Sequence, residues 1–202
     1  MNAGKKRFWQ FCLLINLSRE ASNRPEADCR GPIKKTSDMK FQIKKPEIVE
    51  FIEALEHCGK VVSIFIKFSP TVMPSREFAS PTPLVGLLCH PEFVEEAVGL
   101  GEISSKPIHY STLNRLEFEG SLASVLVEGG CFRNSISEDA AKRLAVDVLA
   151  AAFPKPFDDL LVFRLDDPSW SQFTDVATVS HTYFAWQGAR GLWWMLSVAD
   201  TD

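Results

Sequence analysis

The 202-residue chain lacks any apolar run approaching the roughly 18 to 20 residues that a membrane-spanning helix needs, so no membrane span is expected. It also lacks a phosphate loop. Gly99-Leu100-Gly101 and Gly129-Gly130 match neither a Walker sequence nor a dinucleotide fingerprint, which disfavours a nucleotide-dependent enzyme. Zinc-finger spacing is missing as well: His57-Cys58 and Cys89-His90 are adjacent pairs, and neighbouring residues on a helix or strand diverge rather than chelate. Neither a metal nor a cofactor is therefore expected. No internal repeat is present. With 46% hydrophobic and 24% charged residues, wholesale disorder and a disulfide scaffold are excluded.

Five cysteines (Cys12, Cys29, Cys58, Cys89, Cys131) stand at wide, irregular intervals. An odd count in a chain large enough to build a core argues for free thiols in a reducing compartment, and a cytoplasmic location is expected. Lys5-Lys6-Arg7 and the apolar run Phe8 to Leu17 imitate a secretion signal, but Gln10 and Asn16 interrupt the run.

Charge is unevenly divided. Residues 1 to 45 hold 11 basic and four acidic residues, and residues 46 to 202 hold 11 basic and 22 acidic, a net of −11. An acidic body repels nucleic-acid backbones and attracts basic proteins, so nucleic acid is disfavoured as a partner except through the basic arm 1–45. Residues 18 to 38 mix Ser, Asn, Pro, Gly and charge without period, which divides the chain into an arm and linker (1–38) and one domain (39–202).

Within that domain, Pro46 opens a helix over 47–58 that Gly59 ends. Ile48, Phe51, Ile52 and Leu55 take its inner face, and Glu47, Glu50, Glu53 and Glu56 the outer. Val61 to Phe68 reads as a strand, and four prolines over 69–83 read as a loop. Leu84 to Cys89 reads as a short strand, and Pro91 to Gly99 as a brief helix with Phe93, Val94, Ala97 and Val98 inward. Arg115–Glu119 and Ser121–Glu128 read as a hairpin around Gly120. A second helix spans about Ile136 to Phe153, with Ser135 and Glu138 as its capping box. Asp159–Leu165 is a further strand, and Thr174–Trp186 with Leu192–Ala199 a terminal hairpin. The fold class expected is α+β: a mainly antiparallel sheet covered on one face by two main helices.

Two constellations compete for function. Four of five tryptophans (Trp170, Trp186, Trp193, Trp194) fall near the end of the chain. Strand alternation puts Trp194, Leu196 and Val198 on one side and Trp193, Met195 and Ser197 on the other. The all-apolar set is the core candidate. Trp193 and Met195, with His181, Tyr183 and Ala185 opposite, then form an accessible binding face for a basic protein. Such a protein resembles small acidic inhibitors and immunity-type neutralisers in charge and size only. The alternative is a cysteine-dependent hydrolase or transferase in which Cys131 is nucleophile, His181 base, and Asp175 (or Asp166 or Asp167) orients the imidazole. A non-catalytic binding protein is the favoured expectation.

Overall fold

A computed structural model describes residues 45–67, 83–88, 90–104, 108–130, 136–153 and 160–201. Residues 1–44 of the basic arm, residues 68–82 of the proline-rich segment, Cys89, Cys131 and Ser135 lie outside them. Among the described residues no helix is long and apolar enough to cross a membrane.

The fold is α+β. Helix α1 (Pro46–Glu56) turns at Gly59 into strand β1 (Lys60–Lys67). Short helices α2 (Pro83–Leu88) and α3 (Pro91–Glu96) follow, with a 3-10 turn over Ala97–Leu100. Strand β2 (Tyr110–Leu113) leads into α4 (Arg115–Glu128) and α5 (Glu138–Ala152). Strand β3 (Leu160–Leu165), a 3-10 turn at Pro168–Trp170 and the one-turn α6 (Gln172–Asp175) precede β4 (Val179–Gln187) and β5 (Leu192–Asp200). The five strands are antiparallel in the order β1-β5-β4-β3-β2. Gly191, at φ 59°, takes the left-handed turn that closes the last hairpin.

Two expected elements are corrected. The segment 115–128 is one helix, because Asn114 and Glu117 form a reciprocal cap. Asn114 Oδ1 accepts from the N–H groups of Leu116 and Glu117, and Glu117 Oε2 accepts from Asn114 N–H. Gly120 sits mid-helix on the open side, where nothing demands a turn. The segment 83–88 is also helical rather than extended. The cap of α5 is Ser137, whose hydroxyl accepts from Ala140 N–H.

Long helices α1, α4 and α5 lie on one face of the sheet and bury Phe51, Leu55, Phe118, Leu122, Leu144 and Val148 against Tyr183, Ala185, Trp194, Leu196 and Val198. Trp194 is the centre of this layer. Its ring stacks on Phe65 at 5.2 Å, meets Phe51, Phe118 and Phe153 at 6.2–6.3 Å, and its Nε1 donates to Ser63 Oγ at 2.9 Å. The second face is closed too. Leu84, Leu88, Phe93, Leu100 and Trp170 from the short helices and turns pack on Ile66, Phe163, Phe184, Trp193 and Met195. The sheet is thus the middle of three layers, and β5 is buried without a break from Leu192 to Ala199. That agrees with its near-continuous apolar sequence, which a one-sided sheet would not need.

Candidate functional site

Alternation along β5 separates Trp193 and Met195 from Trp194, Leu196 and Val198 as the sequence predicts, since the two sets enter opposite cores. Accessibility does not follow. Trp193 and Met195 are each 1% exposed, with Trp193 stacked on Trp186 at 5.8 Å and near Phe163 at 6.3 Å. The expectation that these two side chains are open is overturned, because the short helices cover the face that the sequence leaves bare. The register brings a second correction. Ala185 pairs with Trp194, Tyr183 with Leu196 and His181 with Val198, so these three residues share the Trp194 face rather than that of Trp193.

His181 and Tyr183 are brought together by the two-residue strand period, and α4 adds groups that the hairpin reading had concealed. Tyr183 is buried, packs on Phe118 at 5.3 Å and shares a 2.7 Å hydrogen bond with Ser121 Oγ. Burial pushes its hydroxyl pKa up, against smaller downward effects of the Ser121 hydrogen bond and the Arg164 charge. His181 is half-buried. Burial holds its imidazole below the usual range, the Glu128 carboxylate pushes it back up and Arg164 pushes it down. Arg164 comes from β3, where it pairs with Tyr183, and its Nε lies 3.5 Å from Asp166 Oδ1. The result is a polar seam between α4 and the sheet. Asn114-x-x-Glu117 is the sequence signal for α4, and hence for Ser121 and Glu128.

None of the orienting carboxylates named for His181 is among the charges that act on it. Asp175 ends α6, whose Phe173 packs into the short-helix core, so the sheet stands between it and the His181 face. Asp166 accepts from Ser111 Oγ at 3.1 Å, and Asp167 Oδ1 accepts from Ser169 N–H and Oγ at 2.8 and 2.7 Å. Glu128 is the carboxylate whose charge acts on His181, and Cys131 lies outside the described residues. Cys58 is a free, buried cysteine whose thiol pKa is raised first by burial and then by Asp200, an inert rather than activated thiol. Among the described residues no three His, Cys, Asp or Glu side chains are grouped to hold a metal.

The surface feature that matches its reading is α1. Ile48, Phe51 and Leu55 are buried, and Glu47, Glu50, Glu53 and Glu56 are all exposed. At about 100° per residue these four carboxylates fan across the outer half of the helix. None has an ion-pair partner among the described residues. Comparison with known protein families, with curated proteins and with solved structures finds no match to this chain.

Proposed function

We propose that this chain is a non-catalytic binding domain that captures a basic protein through the carboxylate face of α1. The observation that carries the reading is the fan of Glu47, Glu50, Glu53 and Glu56, solvent-facing and unpaired among the described residues. Like charges one turn apart repel, and no basic side chain occupies the last turn, where the helix dipole favours a cation. A basic partner relieves both strains. The net charge of −11 over residues 46–202 steers such a partner toward the body from a distance. With Trp193 and Met195 buried, the contact is electrostatic at α1 instead of aromatic at the hairpin.

The test compares the wild type with Glu47→Gln/Glu50→Gln/Glu53→Gln/Glu56→Gln, which preserves helix propensity while removing four charges. Immobilised wild type should retain from cell extract a set of basic proteins that the variant does not. That retention should collapse by roughly 0.5 M salt, where screening reaches only a few ångströms. Equal retention by both proteins, or retention of proteins without basic character, contradicts the reading.

A further inference from the structure

Strand β4 outruns its neighbour. Its pairing with β3 stops at Thr182 opposite Leu165, but its pairing with β5 continues through His181, Ser180 and Val179. Beyond Leu165 the chain bends toward β2 instead. Asp166 N–H donates to His109 C=O at 3.1 Å, and the Asp166 carboxylate accepts from Ser111. The β3 side of Val179–His181 therefore has no strand beside it among the described residues. Backbone groups alternate in direction along a strand, so at least one N–H and C=O pair of these three residues points into that gap.

The gap is a cavity of about 300 Å³, at the small end of ligand-sized sites. Asp166 and Asp167 form one wall, Thr178 and Ser180 the other, and Trp170 and Thr182 also line it. Four of the lining polar groups already have partners: Trp170 Nε1 donates to Thr182 Oγ1 at 3.1 Å, which shares a 2.8 Å bond with Ser197 Oγ, and the Asp166 and Asp167 carboxylates accept from Ser111 and Ser169. What stays open for recognition is the backbone edge and Ser180, which has no hydrogen bond beyond the sheet ladder among the described residues. One exposed apolar side chain, Val179 at 39%, lines it. The charged residues that line it are acidic, Asp166 and Asp167, the first partly neutralised by Arg164.

We propose that this notch is a peptide-binding site, in which an extended segment carrying lysine or arginine adds to β4 as a short strand. Unpaired strand edges are templates for such addition: main-chain hydrogen bonds give affinity, and alternate side chains give specificity. The notch lies on the β3 side of β4, across the sheet from β1, against which α1 packs. The four-glutamine variant leaves it untouched, so this proposal and the preceding one can fail separately.

The probes are acetyl-Val-Lys-Val-Lys-Val-amide and its serine counterpart, acetyl-Val-Ser-Val-Ser-Val-amide, added to the full chain. With the lysine peptide at about ten times its Kd, exchange of an amide within Val179–His181 should slow roughly tenfold. Asp166→Asn/Asp167→Asn keeps the acceptor oxygens that hold Ser111 and Ser169. It should weaken the lysine peptide by about threefold to fivefold and leave the serine peptide unchanged. The proposal is overturned by slowed exchange confined to other strands, or by lysine-peptide affinity that is indifferent to the double variant. It is equally overturned if all three amides of Val179–His181 exchange slowly before any peptide is added. If that slowness were concentration-independent, the chain itself would fill the edge; if it grew with concentration, a second copy would.

Discussion

Trp193 and Trp194 show how little the identity of a side chain says about its fate when two layers enclose a sheet. Both are 1% exposed, one in each core. Trp193→Ala should therefore cost about 3 to 5 kcal/mol, as much as Trp194→Ala, read as a shift in denaturant midpoint at constant slope. A loss below about 1 kcal/mol would show that the short-helix layer does not seal the ring. His181 offers a residue-scale test through pH. Its folded pKa lies below the ordinary 6.5, so its neutral form stabilises the fold above that pH and the stability is lost as pH falls through the folded value. His90, also held low by burial, contributes with the same sign. Urea midpoints measured from pH 7.5 to 5 should thus fall, and His181→Gln should flatten part of the fall while leaving the share of His90.

At the scale of elements, the contrast between α1 and α4 shows what a linear sequence discloses. In α1 the apolar spacing, Pro46 and Gly59 agree, and the helix is legible to within two residues. In α4 the glycine at 120 and the valines at 125 and 127 argue locally for strands, and only the cap at Asn114 and Glu117 argues for a helix. Tertiary burial of Phe118, Leu122, Val125 and Leu126 decides the contest. Asn114→Ala should accordingly cost about 0.5 to 2 kcal/mol, measured by thermal unfolding, because it orphans the N–H groups of Leu116 and Glu117. The acidic end of α1 predicts the opposite sign. Glu56→Lys should stabilise by about 0.3 to 1 kcal/mol at low salt, since it places a cation at the negative end of the helix dipole. That gain should shrink in high salt, and on the proposed function it should come with weaker capture of a basic partner.

For the whole molecule, what was legible is the α+β class, the terminal hairpin and the alternation along β5; what was hidden is the pairing register of β4 on β5 and the second covering layer. Short helices such as α2, α3 and α6 are too brief to show a clear 3.6-residue period, so nothing local announces that they roof a sheet. The polar seam at His181 and Tyr183 was half visible, because the strand supplies two members and a misread helix supplies Ser121 and Glu128. Both cores share β4 and β5, so neither layer can melt without stripping the other. Tryptophan fluorescence, reporting on rings in both layers, should therefore unfold in one transition coincident with far-ultraviolet circular dichroism. A separate early fluorescence step would mark the short-helix layer as independent.

The strand order also sets a timetable for biosynthesis. Lys60 pairs with Ala199 and Lys67 with Leu192, so β1 finds its only neighbour among the described strands in β5, the last of those strands to be made. At translation rates of about 5 to 20 residues per second, β1 waits on the order of ten seconds for β5 to be synthesised. During that interval Val61-Val62-Ser63-Ile64-Phe65-Ile66 is an apolar strand with both edges open, the kind of segment that nascent chains aggregate through. A shortened message ending before Leu192 should yield insoluble protein or degradation products rather than a folded fragment, and holdase chaperones should bind nascent chains most strongly at β1.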